Sequence, residues 1–124
     1  MIKLINLIIG GAAGTIARYF LAGAVYRIMG TSFPYGTLIV NISGCFILGF
    51  LVSLSDKKFM FSPDARLLLM IGFCGAFTTF STLIFETDNL VRSGQAIRAS
   101  VNIFASVILG FVLFRAGTFI GELI

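Results

Sequence analysis

Four apolar runs limit what this chain can become: Leu4 to Ile28, Tyr35 to Leu54, Leu67 to Leu90 and Ala96 to Ile120. A helix needs roughly 20 predominantly apolar residues to cross a hydrocarbon core about 30 Å thick. A half-buried strand would alternate apolar and polar residues, and these runs do not. Backbone in lipid has to satisfy its own hydrogen bonds, which makes the helix the natural spanning form. Charged residues are only 11% of the 124, too few to coat a water-facing surface, since soluble domains carry about a quarter. The expected fold is an all-α membrane protein with four transmembrane helices, over roughly 4–28, 35–54, 67–90 and 96–120, in a single domain of residues 1–124. The first run is long, is interrupted by Arg18 and precedes no small-residue cleavage pattern, so it is expected to remain as a span and not to be removed as a signal peptide.

The sequence has no histidine, no paired acids and no cysteine motif, so an enzyme is not expected. Cys45 and Cys74 fall in separate apolar runs and read as small buried thiols. Net charge is +4, but the basic residues are scattered singly apart from Lys57–Lys58. This is flanking charge on a membrane protein and does not predict nucleic-acid binding. Four spans put both termini on one side. That side carries Lys3, Lys57, Lys58, Arg66 and Arg115, five basic residues, against Arg27, Arg92 and Arg98 on the other, three. Orientation follows the excess of Lys and Arg. So small a bias allows insertion both ways, and if both orientations exist, two opposed copies can pair about a twofold axis in the membrane plane.

Polar residues inside the spans are the candidate functional groups. Gly10 and Gly14 have the small-xxx-small spacing that lets helices approach closely. Arg18 lies too deep to be an end anchor. It either faces an aqueous, anion-attracting vestibule or pairs with Glu86 or with helix C-terminal carbonyls. Pro34, Gly36 and Thr37 mark the start of the second helix, which carries Asn41 and Ser43. A buried Asn needs partners, either on neighbouring helices or along a pore. Ser62-Pro63-Asp64 reads as a cap with proline in the first turn. The third helix is the unusual one, because Gly72, Gly75, Thr78, Thr79, Ser81 and Thr82 crowd its middle. Glycine and threonine are poor helix formers, and a break is expected there. Freed carbonyls at such a break suit a cation, while the hydroxyls that follow suit an anion. Phe77, Phe80 and Phe85 can turn positive ring edges towards that anion. On the fourth helix, Asn102 and Ser106 share a face.

The glycine-rich first helix with Arg18, the Pro34-x-Gly36-Thr37-x-x-x-Asn41 pattern, and the run from Gly72 through Thr82 followed by Glu86 together resemble the small bacterial fluoride channels, the Fluc or CrcB family. The likeness covers essentially the whole chain. It implies a fluoride-specific ion channel in the cell (inner) membrane, for passive export of cytoplasmic fluoride. It implies an antiparallel dual-topology homodimer with two pores. It also implies a sodium ion, structural and not transported, on the backbone carbonyls of Gly75 and Thr78. By the same likeness Asn41 matches the pore asparagine, Phe80 the first pore phenylalanine, and Ser81 and Thr82 part of a hydroxyl track. Thr37 and Ser106 fall where pore-side polar groups lie. Leu83 stands where better-known members carry a second pore phenylalanine, and Ile84 where some carry a serine. The alternative is a small multidrug-type proton-coupled transporter of four spans. That class needs a carboxylate deep in the first helix, where this chain has Arg18.

Overall fold

The computed structural model describes every residue except Phe59 and the side chain of Lys58, one of the basic residues counted above. The described residues are helical almost throughout. Helix α1 spans Ile2–Met29, α2 Tyr35–Lys58 and α6 Ala96–Leu123. The third span, Pro63–Arg92, is composite. It starts as a short helix α3 (Pro63–Arg66), winds as a π-helix over Leu67–Cys74, and returns to a single α turn, α4 (Gly75–Phe77). After Thr78 and Thr79 it resumes as α5 (Phe80–Arg92). All four long segments are long and apolar enough to cross a membrane.

The helix ends follow local chemistry. Gly30 takes φ 81° and donates its N–H to Tyr26 O at 2.9 Å, which stops α1. A left-handed C-terminal residue of this kind favours glycine. Ser62 caps the third span by accepting from Ala65 N–H at 3.2 Å, with Pro63 in the first turn. The helices run a few residues past the apolar runs, from Pro63 and not Leu67 in the third span and to Arg92 and not Leu90. Hydrophobicity marks the lipid-exposed part of a helix, while winding continues through charged residues beyond it, here Asp64, Arg66, Asp88 and Arg92.

Two glycine seams bring the helices together. α1 lies along the π-helical stretch and α4, and α2 lies along α6. A Cβ added at Gly10 would run into the Leu68 carbonyl and the Phe73 amide, and one at Gly14 into Phe73 O and Phe77 N. The Gly10/Gly14 spacing therefore does produce close backbone contact, and it is with the third span. In the second seam, Gly49 meets the Phe114 carbonyl and Gly117 meets Phe46 O and Phe50 N. Without a hydrophobic force between helices in lipid, such close packing supplies much of the association energy. The interior is small and includes Val40, Cys74, Phe77, Leu83 and the polar Asn102. Large apolar side chains such as Ile8, Phe20, Phe104, Phe111 and Phe119 are exposed along the helix flanks. On a soluble protein an apolar surface this extensive would be an association liability. On a multi-pass membrane protein it is where lipid or another membrane segment sits.

Gly14→Val forces a branched side chain against backbone atoms. Overpacking of this kind costs about 1–3 kcal/mol, so the variant should unfold at a lower temperature in detergent. Gly11→Ala, whose new Cβ meets nothing within 4 Å, should unfold with the wild type.

Candidate functional site

The site is built where helical winding is suspended. Thr78 (φ −85°, ψ 157°) and Thr79 (φ −150°, ψ 119°) are extended between α4 and α5. Extended backbone inside a helical span leaves carbonyls and amides without their usual partners. Side chains supply the missing ones. The Asn41 amide, projecting from α2, donates Nδ2–H to Thr79 O at 3.0 Å and accepts the Thr79 N–H on Oδ1 at 2.8 Å. Thr79 Oγ1 then caps α5, accepting from Thr82 N–H at 3.3 Å, and donates to Thr82 Oγ1 at 3.0 Å. Ser81 Oγ is 3.4 Å from the same hydroxyl. Thr78 remains tied to the preceding turn through its N–H and Oγ1, both on Cys74 O. Gly44 of α2 leaves room for the Thr78 methyl and the Phe77 ring, so α2 can lie against this stretch.

These bonds have a consequence for two carbonyls. In an α-helix the N–H of residue i+4 would bond each carbonyl. The Thr79 N–H, the α-helical donor for Gly75 O, goes to Asn41. The Thr82 N–H, the donor for Thr78 O, goes to the Thr79 hydroxyl. Gly75 and Thr78 thus present carbonyls whose helical partners have been diverted. Neutral oxygen donors of this kind fit a hard monovalent cation.

Two cavities flank Asn41 and the extended residues. One, of about 340 Å³, is lined by Asn41, Gly75, Thr78, Phe80, Leu83 and Ser106 among others. The other, of about 560 Å³, is lined by Arg18, Thr37, Thr82 and Glu86 among others. Thr79 contributes to both walls. These eleven residues, all singled out in the sequence, therefore line the pair of cavities. Ser81 is exposed and joins them through its contact with Thr79. Phe80 is 74% exposed at the cavity edge, and Leu83 is 6% exposed within the core. The Ser106 hydroxyl is buried beside Asn41's cavity with no protein partner among the described residues. Asn102 turns elsewhere and donates to Thr87 Oγ1 at 3.0 Å.

The profile of the family described as CrcB-like protein, Camphor Resistance (CrcB), matches residues 5–118. The chain belongs to the CrcB-like family. It is 44% identical over 124 residues to a protein of Maridesulfovibrio salexigens named fluoride-specific ion channel FluC, covering 100% of this chain and 98% of that one. A protein of the same name from Desulforapulum autotrophicum is 46% identical over 122 residues, 98% of each chain. Another from Geobacter sulfurreducens is 44% identical over 117 residues, 94% of each. The matched CrcB-like region takes in every residue of both cavities.

Sequence reasoning left Glu86 without a settled role. Arg18 and Glu86 share a cavity but form no ion pair among the described residues. Glu86 Oε1 accepts instead from Thr37 Oγ1 at 2.8 Å and from the Tyr26 hydroxyl at 3.2 Å. The signal was present in the spacing, since Thr79, Thr82 and Glu86 recur at three and four residues and so share one face of α5. Tyr26 carried no comparable signal, because a tyrosine near a helix end reads as an interfacial anchor.

Asn41→Ala removes both partners of the Thr79 peptide groups. Each buried polar group left unpaired costs about 1–3 kcal/mol, so the variant should lose more thermal stability in detergent than Ser100→Ala, whose hydroxyl bonds only its own helix at the surface.

Proposed function

We propose that this protein is a fluoride-selective channel for passive export of the anion, working as an antiparallel homodimer with two pores and a structural sodium ion. The observation that carries the reading is the cluster of hydrogen-bond donors held between two cavities by the Asn41–Thr79 pairing, in a chain whose relatives are named fluoride-specific ion channels. Channels of that kind pass an ion without transforming it, so the protein is not an enzyme.

Fluoride is small and strongly hydrated, so a selective path has to replace its water with fixed donors. Asn41 Nδ2 has two N–H groups. One is engaged by Thr79 O, and the other is available to an ion. The Ser81 and Thr82 hydroxyls continue the donor track, with Thr37 and Ser106 at its ends. Phe80 contributes a positive ring edge, and Leu83 offers an aliphatic wall where a second ring is expected. Arg18 raises the local anion concentration in its cavity, as cationic clefts do. A sodium ion on the Gly75 and Thr78 carbonyls would add positive potential beside this track and bind the two subunits' interrupted spans together. The broken third helix therefore serves the cation through its backbone and the anion through its side chains. The multidrug-transporter alternative finds no support in α1, which contains no Asp or Glu between Ile2 and Met29.

Purified protein in liposomes should release fluoride to an ion-selective electrode and retain chloride, and replacing sodium with a large organic cation should slow the release. Equal efflux of the two halides in sodium would refute the reading. Thr82→Val, which keeps the side-chain shape and the α5 cap, should slow fluoride release about tenfold, the factor represented by one hydrogen bond to a charged group.

A further inference from the structure

A third cavity, of about 470 Å³, lies at the end of the molecule beneath the α1–α2 loop. Its walls are mixed: Thr31, Ser32, Asn89, Ser93 and Gln95 supply polar groups among the apolar side chains of Phe33, Pro34, Phe85 and Leu90. Among the described residues, only Tyr26 and Glu86 line both this cavity and the one that holds Arg18. They are bonded to each other, Tyr26 OH to Glu86 Oε1 at 3.2 Å, and Thr37 Oγ1 donates to the same oxygen at 2.8 Å. A carboxylate and its two hydroxyl donors thus stand between this cavity and the one that reaches Thr79 and Thr82.

We propose that the cavity beneath the α1–α2 loop is an aqueous mouth of the anion path, and that Glu86, held by Tyr26 and Thr37, is the latch that closes it. This rests on the channel reading above. Two features of the partition make it a latch and not a wall. The carboxylate is held through Oε1 alone, because Oε2 is buried with no hydrogen-bond partner. A group bonded through both oxygens would be held from two sides, whereas this one gives up only the bonds on Oε1 when it rotates away. In addition, both hydroxyls already donate towards an anionic oxygen. When the carboxylate swings aside, the Thr37 hydroxyl, which makes the shorter of the two bonds, is left aimed at the space it occupied, where a fluoride ion can accept that bond. The ion and the side chain are both anions and repel each other at close range, so they occupy the neck alternately. Arg18 and Arg27 line the inner cavity on α1 and offset the negative charge there. Tyr26 is a positioning residue in this scheme, because its hydroxyl stabilises the closed position of Glu86.

The test is fluoride efflux from liposomes carrying full-length protein. Tyr26→Phe keeps the ring and removes one of the two bonds to the closed carboxylate. The maximal efflux rate should rise about tenfold, the factor one hydrogen bond to a charged group represents. The fluoride concentration giving half-maximal rate should stay the same, since Asn41, Ser81 and Thr82 are untouched, and chloride should remain excluded. A loosened fold would instead leak both halides. Glu86→Gln, which keeps the side-chain shape and removes the opposing charge, should also speed release. Ser93→Cys places a thiol in the mouth, and a negatively charged thiol reagent should then slow fluoride release relative to wild-type protein treated identically. Wild-type release with no gain in Tyr26→Phe would overturn the latch. Labelled Ser93→Cys conducting as fast as unlabelled protein would overturn the mouth. If neither wild type nor Tyr26→Phe released fluoride, the channel reading itself would fall, and the latch with it.

Discussion

Everything in this molecule turns on two peptide groups that cannot be left unpaired in hydrocarbon. Thr78 and Thr79 depart from helical winding in the middle of a span, where water cannot supply replacement bonds. The Asn41 side chain answers with a donor and an acceptor in the same arrangement as a backbone amide, and it binds both polar atoms of Thr79. The Thr79 hydroxyl does the equivalent at the start of α5. Without these bonds the span would gain by rewinding, and the donors that follow would turn to other faces.

The glycine seams let that repair work. Asn41 reaches Thr79 because α2 runs against the interrupted span, with Gly44 leaving room for Thr78 and Phe77. On the other side, Gly10 and Gly14 press α1 against the stretch just before the interruption. The third span is therefore gripped from two directions on either side of its weakest point. In this way a chain of four spans with a small interior can hold an irregular segment in place.

Much of this was legible in the sequence, for identifiable reasons. Apolar run length is set by bilayer thickness, so the four spans were plain. Gly75, Thr78, Thr79, Ser81 and Thr82 are poor helix formers, so the position of the irregularity was plain too. Grouping Asn41 with Phe80, Leu83 and Ser106 came from resemblance, and the structure brings these four around one cavity. The pairing of Asn41 with Thr79 was not legible, since 38 residues separate them and no local pattern marks a partner that distant. Glu86 was ambiguous because a buried carboxylate suggests an ion pair, and two neutral hydroxyls took that place. The π-helical winding of Leu67–Cys74 had no signal at all. A segment apolar on every side carries no periodicity, so it cannot disclose its own turn angle.

That winding has a consequence for any attempt to reason along the third span. An i→i+5 ring advances through a smaller angle per residue than an i→i+4 ring. Eight residues of it accumulate a rotation that a helical wheel drawn through Met70, Phe77 and Phe80 would miss. Sequence distance across this stretch does not convert to direction. The faces of Phe77 and Phe80 are phased by the coil beneath them as much as by their own positions. Inserting or deleting one residue between Arg66 and Gly75 would act like turning a dial, re-aiming the whole polar segment while leaving its composition and length nearly unchanged.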